Sequence, residues 1–278
     1  MVITRAARVV AVLAAAAVSG FGAAAPAAAD PPGHVRVAVT TASSSADKSV
    51  TVNCPPGTVV TGGGGYLTAP STTVQGDIAI DRLEPHDDGS GFTTTLREAR
   101  STPDLWRMTG EALCATPPAG WDVVSVTGPL SASVVSAGCG DKTLIGVGGR
   151  INNGGGDVVL DHVVPSSTLK SVTVRGTLIP GRNRTTWSVT AFAVCANTTA
   201  QLVMWSAPVS VDPSKSLNTS CANGRALYSV GASITPGSGL VYLDVVHAVD
   251  ADTMAARANK ATGAAPPAWG LMGYGICG

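Results

Sequence analysis

Three aspartates occupy one position of a repeated pattern, so they are the residues best placed to do the same chemistry three times. Asp81, Asp161 and Asp244 each directly follow an Ile or a Leu at the end of an apolar run. A carboxylate at a strand end can accept hydrogen bonds from the backbone of the following turn. It can equally contact a cation or a ligand. The sequence leaves two interpretations open: a turn-capping residue, or one ligand contact in each repeat.

The five tryptophans divide into a repeated set and an unshared pair. Trp106, Trp187 and Trp269 each lie eight residues before a cysteine. Tryptophan packs well beside a disulfide, so we expect these three in the core, with sugar stacking as the alternative. Trp121 and Trp205 have no counterpart in the first repeat, which makes them the aromatic candidates for a binding surface.

Acid–base and metal chemistry find little support. Glu84, Glu98 and Glu111 all lie in the first repeat. A glycosidase needs two carboxylates across a cleft, so only this repeat could hold such a site, and a solvated acidic face explains the same residues. The sequence contains no H-E-x-x-H motif, no paired C-x-x-C spacing and no G-x-S-x-G motif. We predict no metal, no cofactor and no catalytic residue.

A nine-residue stretch from Trp to Cys organises the chain because it occurs three times. WRMTGEALC, WSVTAFAVC and WGLMGYGIC begin at Trp106, Trp187 and Trp269, respectively. On a β-strand the even separation puts Trp and Cys on one face, with mainly small side chains between them. The regular spacing of these stretches predicts an internal repeat.

A glycine-containing strand follows the early cysteine of each repeat, and in the first repeat it includes Gly62–Gly65. Glycines inside a strand indicate a bulge or a place where another backbone approaches closely. No helix-forming segment and no Gly-Lys-Ser/Thr follows, so a phosphate cradle is not favoured.

The six cysteines predict three disulfides, because each repeat owns one early and one late cysteine. We expect the pairs Cys54–Cys114, Cys139–Cys195 and Cys221–Cys277. In the loop-closure model each crosslink contributes roughly 4 kcal/mol, a large share for so small a repeat.

Composition predicts an all-β protein. Charged residues make up 13% of the chain, and Val, Thr and Gly are abundant. The expected fold is three tandem repeats with one disulfide each, arranged either as a pseudo-three-fold β-prism or as packed β-sandwiches. The expected boundaries are residues 30–117, 118–199 and 200–278.

The first 29 residues have the pattern of a secretory signal peptide. Arg5 and Arg8 precede an apolar run, and Ala27-Ala28-Ala29 resembles a cleavage site. The run is too short to span a bilayer. The formal net charge is zero, so no basic footprint for nucleic acid is expected. We predict a secreted, extracellular protein without membrane insertion.

The stretch Cys54-Pro-Pro-Gly-Thr-Val-Val-Thr-Gly-Gly-Gly, followed by Trp106 and by Cys114-Ala115, resembles an uncharacterised module of secreted bacterial proteins. The third repeat departs from it, with Val230-Gly231 in place of the glycine triplet. The resemblance implies an all-β extracellular module, and it implies no catalytic residues.

Three functions remain open at this point. The leading hypothesis is a non-enzymatic binding or adhesion protein whose three similar faces engage an extracellular surface or glycan, because weak equivalent sites gain from multivalency. The first alternative is an exported structural or assembly subunit that binds other proteins through sheet edges. The second is a hydrolase with a site in the first repeat.

Overall fold

The computed structural model describes residues 32–68 and 74–278, so the expected signal peptide lies outside the described residues. Eighteen strands form within the described ranges, six in each of three units. Unit 1 contains β1 Val35–Thr40, β2 Lys48–Asn53, β3 Val59–Thr68, β4 Ile78–Pro85, β5 Gly91–Glu98 and β6 Arg107–Ala115. Unit 2 contains β7 Asp122–Thr127, β8 Val134–Gly138, β9 Thr143–Asn152, β10 Val158–Pro165, β11 Ser171–Leu178 and β12 Ser188–Ala196. Unit 3 contains β13 Gln201–Ser210, β14 Ser214–Ser220, β15 Leu227–Thr235, β16 Val241–Ala248, β17 Thr253–Lys260 and β18 Trp269–Cys277.

The strands form three antiparallel six-stranded sheets, and each sheet is shared by two units. We call them sheet I, with strand order β2-β5-β4-β9-β12-β7, sheet II, β8-β11-β10-β15-β18-β13, and sheet III, β14-β17-β16-β3-β6-β1. In each sheet the second, fifth and fourth strands of one unit continue into the third, sixth and first strands of the next. The pattern closes on itself after three units, which gives the expected pseudo-three-fold arrangement.

Each unit is also a two-layer sandwich, because its two groups of three strands belong to different sheets and pack face to face. In unit 1, the inner face of β6 lies against β2 and β5, with Trp106, Met108, Phe92 and Leu96 fully buried between them. The structure therefore combines both expected arrangements: three sandwiches whose sheets run on from one unit to the next.

The three disulfides join the expected partners, Cys54–Cys114, Cys139–Cys195 and Cys221–Cys277. Each links the region after the second strand of a unit to its last strand, and so ties the two layers of one sandwich together. The recurring tryptophans lie in the core, at most 4% exposed, at the opposite end of the last strand of each unit from the disulfide cysteine. The all-β fold and the one-disulfide-per-repeat pattern are confirmed.

The units meet at three seams, where a glycine-containing strand pairs with the fourth strand of a neighbouring unit: β4–β9, β10–β15 and β16–β3. Gly64, Gly148 and Gly231 occupy equivalent positions at these seams. A Cβ added to any of them would lie under 3.0 Å from a backbone carbonyl oxygen of the neighbouring unit, which real Cβ atoms essentially never do. The glycines therefore mark a close backbone approach, as their run in the sequence predicts.

No helix in the described part of the chain is long and apolar enough to cross a membrane.

Candidate functional site

The centres of the three seams differ in their side chains, although their backbones are equivalent. At the β4–β9 seam, Arg82 lies directly opposite Arg150. The equivalent pairs are His162 opposite Ser233 at the β10–β15 seam and Val245 opposite Tyr66 at the β16–β3 seam. Like charges directly opposite on neighbouring strands are destabilising. Since the other two seams use at most one titratable group, the fold does not require an arginine pair.

The arginine pair belongs to a cavity of about 360 Å³, which we call the arginine cavity. Its volume lies at the lower end of the range of small-molecule sites. Four guanidinium groups contribute to its wall, and no carboxylate does. The cavity is lined by Arg82, Arg97, Arg150, Ile151, Asn152, Asn153, Gly154, Gly155 and Arg184.

Strand alternation places these side chains together. Arg82 and Glu84 share one face of β4, and Arg150 and Asn152 share the corresponding face of β9, because side chains two residues apart point the same way. The turn after β9 closes the cavity with a left-handed backbone at Asn153, Gly155 and Gly156. A Cβ at Gly155 would collide with the Arg184 guanidinium. The glycine therefore lets Arg184 lie against the turn.

Glu84 bridges the two opposed arginines. Arg150 donates a hydrogen bond of 2.6 Å to Glu84 Oε1, and Arg82 Nε lies 3.2 Å from Oε2. The second contact is not aligned as a hydrogen bond, so Arg82 Nε and Glu84 Oε2 are both buried without a hydrogen-bond partner. Arg150 also lies 5.4 Å above the ring of Phe192, which supports its charged group. One carboxylate thus partly neutralises two cations, and Arg82 Nε keeps an unused donor.

The other two arginines are held by carboxylates around the cavity wall. Arg97 pairs with Asp81 at 3.1 Å and with Asp47 at 2.8 Å. Arg184 pairs with Asp157 at 3.1 Å and donates to the Asn153 carbonyl. These contacts fix the guanidinium groups in place. Fixed guanidiniums recognise carboxylate, sulfate and phosphate groups through paired N–H donors.

The recurring aspartates lie within the fourth strand of each unit. Asp81, Asp161 and Asp244 each sit at a β-bulge, in the middle of the fourth strand of the unit, and are at most 3% exposed. The structure therefore places them inside strands and not in the following turns, contrary to the capping interpretation. Each carboxylate pairs with an arginine of the next strand.

Burial and hydrogen bonding act in opposite directions on these acids. Asp244 accepts hydrogen bonds from Arg257 and from Asn259, yet complete burial outweighs them and raises its pKa to about 6. Burial likewise raises the pKa of Asp161, against its hydrogen bonds from Arg175 and Thr177. The pairs occur in all three units, as expected of a structural element. Whether any of them contacts a ligand stays a prediction.

Unit 1 differs in how it holds its aspartate. The ladder registers make Thr95 the equivalent of Arg175 and Arg257, and Arg97 the equivalent of the Thr177 and Asn259 positions. In unit 1 the arginine that pairs with the aspartate therefore lies two residues further along the fifth strand than in units 2 and 3. Burial also raises the pKa of Asp81, and Arg97 opposes that rise. The shifted position is what brings Arg97 to the wall of the arginine cavity.

The two unshared tryptophans have different surroundings. Trp121 is half-buried, and its indole N–H donates to the Val60 carbonyl at 2.9 Å, so it links unit 2 to unit 1. Trp205 is 59% exposed on the edge strand β13, beside the exposed side chains of Met204 and Val209. Of the two, only Trp205 presents a large aromatic surface to solvent. Neither lines the arginine cavity.

The glutamates of unit 1 do not come together. Glu84 and Glu98 lie on neighbouring strands, but Glu98 is five residues along β5 from Thr93, the partner of Glu84, which corresponds to roughly 17 Å. Glu111 lies in sheet III and is fully buried, where it accepts hydrogen bonds from Arg36, His247 and the Ala248 amide. Burial opposes its ionisation, but His247 and Arg36 outweigh that effect and lower the pKa of Glu111.

Across residues 32–68 and 74–278, no group of three or more His, Cys, Asp or Glu side chains is placed to hold a metal ion. The histidines occupy unrelated environments. His162 at the β10–β15 seam is the most perturbed, because burial and the neighbouring Arg175 lower its pKa to about 4. It is therefore uncharged at neutral pH, unlike its arginine equivalent at the β4–β9 seam.

The arginine cavity was not among the sites expected from sequence, because its residues come from two repeats and do not recur. The sequence did contain a signal for this site. When the repeats are aligned on their glycine-containing strands, Tyr66, Arg150 and Ser233 occupy one position, and only the second repeat has a charged residue there.

The comparisons with known proteins leave the family open. No protein-family model matches the chain, and no curated protein is detectably similar to it.

Proposed function

We propose that this is a secreted, non-enzymatic binding protein that holds an anionic group of an extracellular surface or glycan in the arginine cavity. One observation carries the proposal: the β4–β9 seam bears two directly opposed arginines, at a position where the two equivalent seams bear His162 with Ser233 and Val245 with Tyr66. A destabilising arrangement that the fold does not need indicates selection for another purpose.

Secretion is supported by the signal-like residues 1–29 and by the three disulfides, which are typical of oxidising compartments. The resemblance to an uncharacterised secreted bacterial module agrees with this. The sequence led us to expect three similar binding faces. We propose a single anion site instead, because the three seams carry different side chains.

The proposal is tested by isothermal titration calorimetry of residues 30–278, the expected mature chain, with carboxylated and neutral polysaccharides at low and high salt. Arg150→Ser introduces the residue that unit 3 carries at the equivalent position, so the fold should tolerate it. Hydrogen bonds to charged groups contribute about 1.5–3 kcal/mol, so the variant should bind acidic polymers roughly tenfold or more weakly. Added salt should weaken wild-type binding as well.

The matched control is Arg107→Ser, which removes an exposed arginine of β6 that does not line the cavity. It should bind like wild type. Equal losses in both variants, or no binding of any acidic polymer, would contradict the proposal.

An exported assembly subunit is the second candidate, and one observation favours it. Trp205, Met204 and Val209 expose apolar surface along β13, and no strand among residues 32–68 and 74–278 pairs with the outer edge of β13. Edge strands of this kind are potential pairing sites for other chains. Recovery of a stoichiometric protein partner with wild type, and its loss with Trp205→Ser, would support this function.

The hydrolase alternative receives the least support, because Glu84, Glu98 and Glu111 do not face one another across a cleft. The double variant Glu84→Gln/Glu98→Gln should leave any glycan-degrading activity of a purified preparation unchanged. Loss of such an activity in the variant would revive this alternative.

A further inference from the structure

The arginine cavity lies at the middle of a polar row that crosses all six strands of sheet I. The registers place one residue of each strand directly opposite the next, from one edge of the sheet to the other. At about 4.8 Å per strand, this row spans roughly 24 Å. We call it the hydroxyl–arginine row, and it consists of Ser49, Thr95, Arg82, Arg150, Thr190 and Thr127.

The flanks of the row are hydroxyl pairs. Ser49 and Thr95 share a hydrogen bond of 2.8 Å on one side, and Thr127 and Thr190 share one of 2.8 Å on the other. Ser49 and Thr127, at the two ends, are exposed, whereas Thr95 and Thr190 are buried, so the end residues are the hydroxyls open to a ligand. Serine and threonine hydroxyls can both donate and accept, so each end can bind a sugar hydroxyl.

The equivalent rows of the other two sheets are interrupted by apolar side chains. The row of sheet II contains Val134 and Met272, and the row of sheet III is interrupted at Val245, which lies opposite the aromatic Tyr66. Only sheet I combines a continuous polar row with two central arginines. Sheets II and III have the same strand arrangement without such a row, so the fold itself does not require it.

The charge around the centre of the row matches a sparsely charged ligand. Ion pairs connect the four arginines of the cavity, and Arg182 outside its lining, to four carboxylates, so this network contains one more guanidinium than carboxylates. The arginines are Arg82, Arg97, Arg150, Arg182 and Arg184, and the carboxylates are Asp47, Asp81, Glu84 and Asp157. A single excess charge suits one monoanionic group, and it offers little to the dense phosphates of nucleic acid.

From the row, its charge and its flanks we infer that sheet I binds an extended acidic polysaccharide lying across the strands. A sugar carboxylate enters the arginine cavity, and neighbouring uncharged sugars contact the hydroxyls at both ends. This inference rests on the proposed function, because it requires anion binding in the cavity. It adds the ligand class, the orientation of the ligand and a dependence on its length.

The test compares a free hexuronate, a disaccharide and a hexasaccharide of alternating hexuronate and N-acetylhexosamine, by titration calorimetry with the mature chain. The hexasaccharide should bind about tenfold more tightly than the disaccharide, as a few additional hydrogen bonds would provide. A neutral hexasaccharide should bind far more weakly. Ser49→Ala/Thr127→Ala should abolish most of the length-dependent gain and leave disaccharide binding unchanged.

Thr40→Ala/Ser216→Ala is the matched control, because these residues end the equivalent row of sheet III. It should retain the length dependence, and circular dichroism should show both double variants folded. Binding of the hexuronate without any gain from length would overturn the inference and leave the proposed function standing. Binding of none of the acidic sugars would overturn both. Preferential binding of single-stranded DNA, or an equal length effect with neutral sugars, would overturn the inference.

Discussion

Replacing Gly64 by alanine should weaken the junction between units 1 and 3. The added Cβ would lie under 3.0 Å from the Val246 carbonyl oxygen and from the His247 Cα, so a backbone segment would have to move. No flexible side chain end can absorb the collision. This movement would strain the β16–β3 ladder, because Val246 pairs there with Gly65, the residue next to Gly64.

The size of the effect follows from overpacking. Extra methyl groups in a tightly packed site cost about 1–3 kcal/mol, and a collision with backbone belongs at the upper end. Alanine also restricts the unfolded chain, which offsets about 0.4–1 kcal/mol. We expect a net loss near 2 kcal/mol, and at about 2–4 °C per kcal/mol the melting temperature should fall by several degrees.

The assay is urea unfolding followed by far-ultraviolet circular dichroism, with the disulfides intact. Gly138→Ala is the control, because a Cβ there would meet only the Lys170 carbonyl oxygen at 3.8 Å, an ordinary contact. That variant should be as stable as wild type or slightly more so. If Gly64→Ala were as stable as Gly138→Ala, the close backbone approach at the seam would be refuted.

Three further perturbations test the interior. Asp244 has a pKa raised to about 6, so the folded protein should lose roughly 3 kcal/mol of stability as pH rises from 4 to 7, at 1.36 kcal/mol for each of two pKa units. Unfolding measured against pH should show this loss in wild type relative to Asp244→Asn, and parallel curves would contradict it. Glu111→Gln should cost about 3 kcal/mol in urea unfolding, because it leaves Arg36 without its charged partner, whereas the exposed Asp87→Asn should be neutral. Removal of one crosslink in Cys139→Ala/Cys195→Ala should lower stability by roughly 4 kcal/mol without changing the other two disulfides, and rearranged pairing in peptide maps would argue against independent units.

Much of the fold was predictable because its determinants are local and periodic. The spacing from Trp106 to Cys114 and its two repetitions predicted the repeat, the core tryptophans and the disulfide pairing. The glycines from Gly62 to Gly65 predicted a close backbone approach. The repeat, the core tryptophans and the disulfides depend on residues within one repeat, where strand alternation and chain connectivity leave few solutions. The glycines predicted that another backbone lies close, but they did not predict that it belongs to a neighbouring unit.

The sharing of sheets between units was not predictable in the same way. Alternating strands fit many antiparallel partners, and nothing local distinguishes pairing of β4 with β3 from pairing with β9. The arginine cavity depends on that long-range pairing, since Arg82 and Arg150 belong to different repeats. The recurring aspartates were candidate ligand contacts because they occur in every repeat, but they form structural ion pairs. The candidate site instead contains charged residues that the repeats do not share.

The proposed location of the anion site can be tested directly by nitrogen-15 NMR of labelled residues 30–278 during titration with a free hexuronate. We expect the perturbed resonances to cluster on β4, β9 and the following turn, around Arg82, Arg150 and Gly155, with few changes at the equivalent seams. Perturbations centred on sheet II or sheet III, or spread evenly over the three seams, would contradict it.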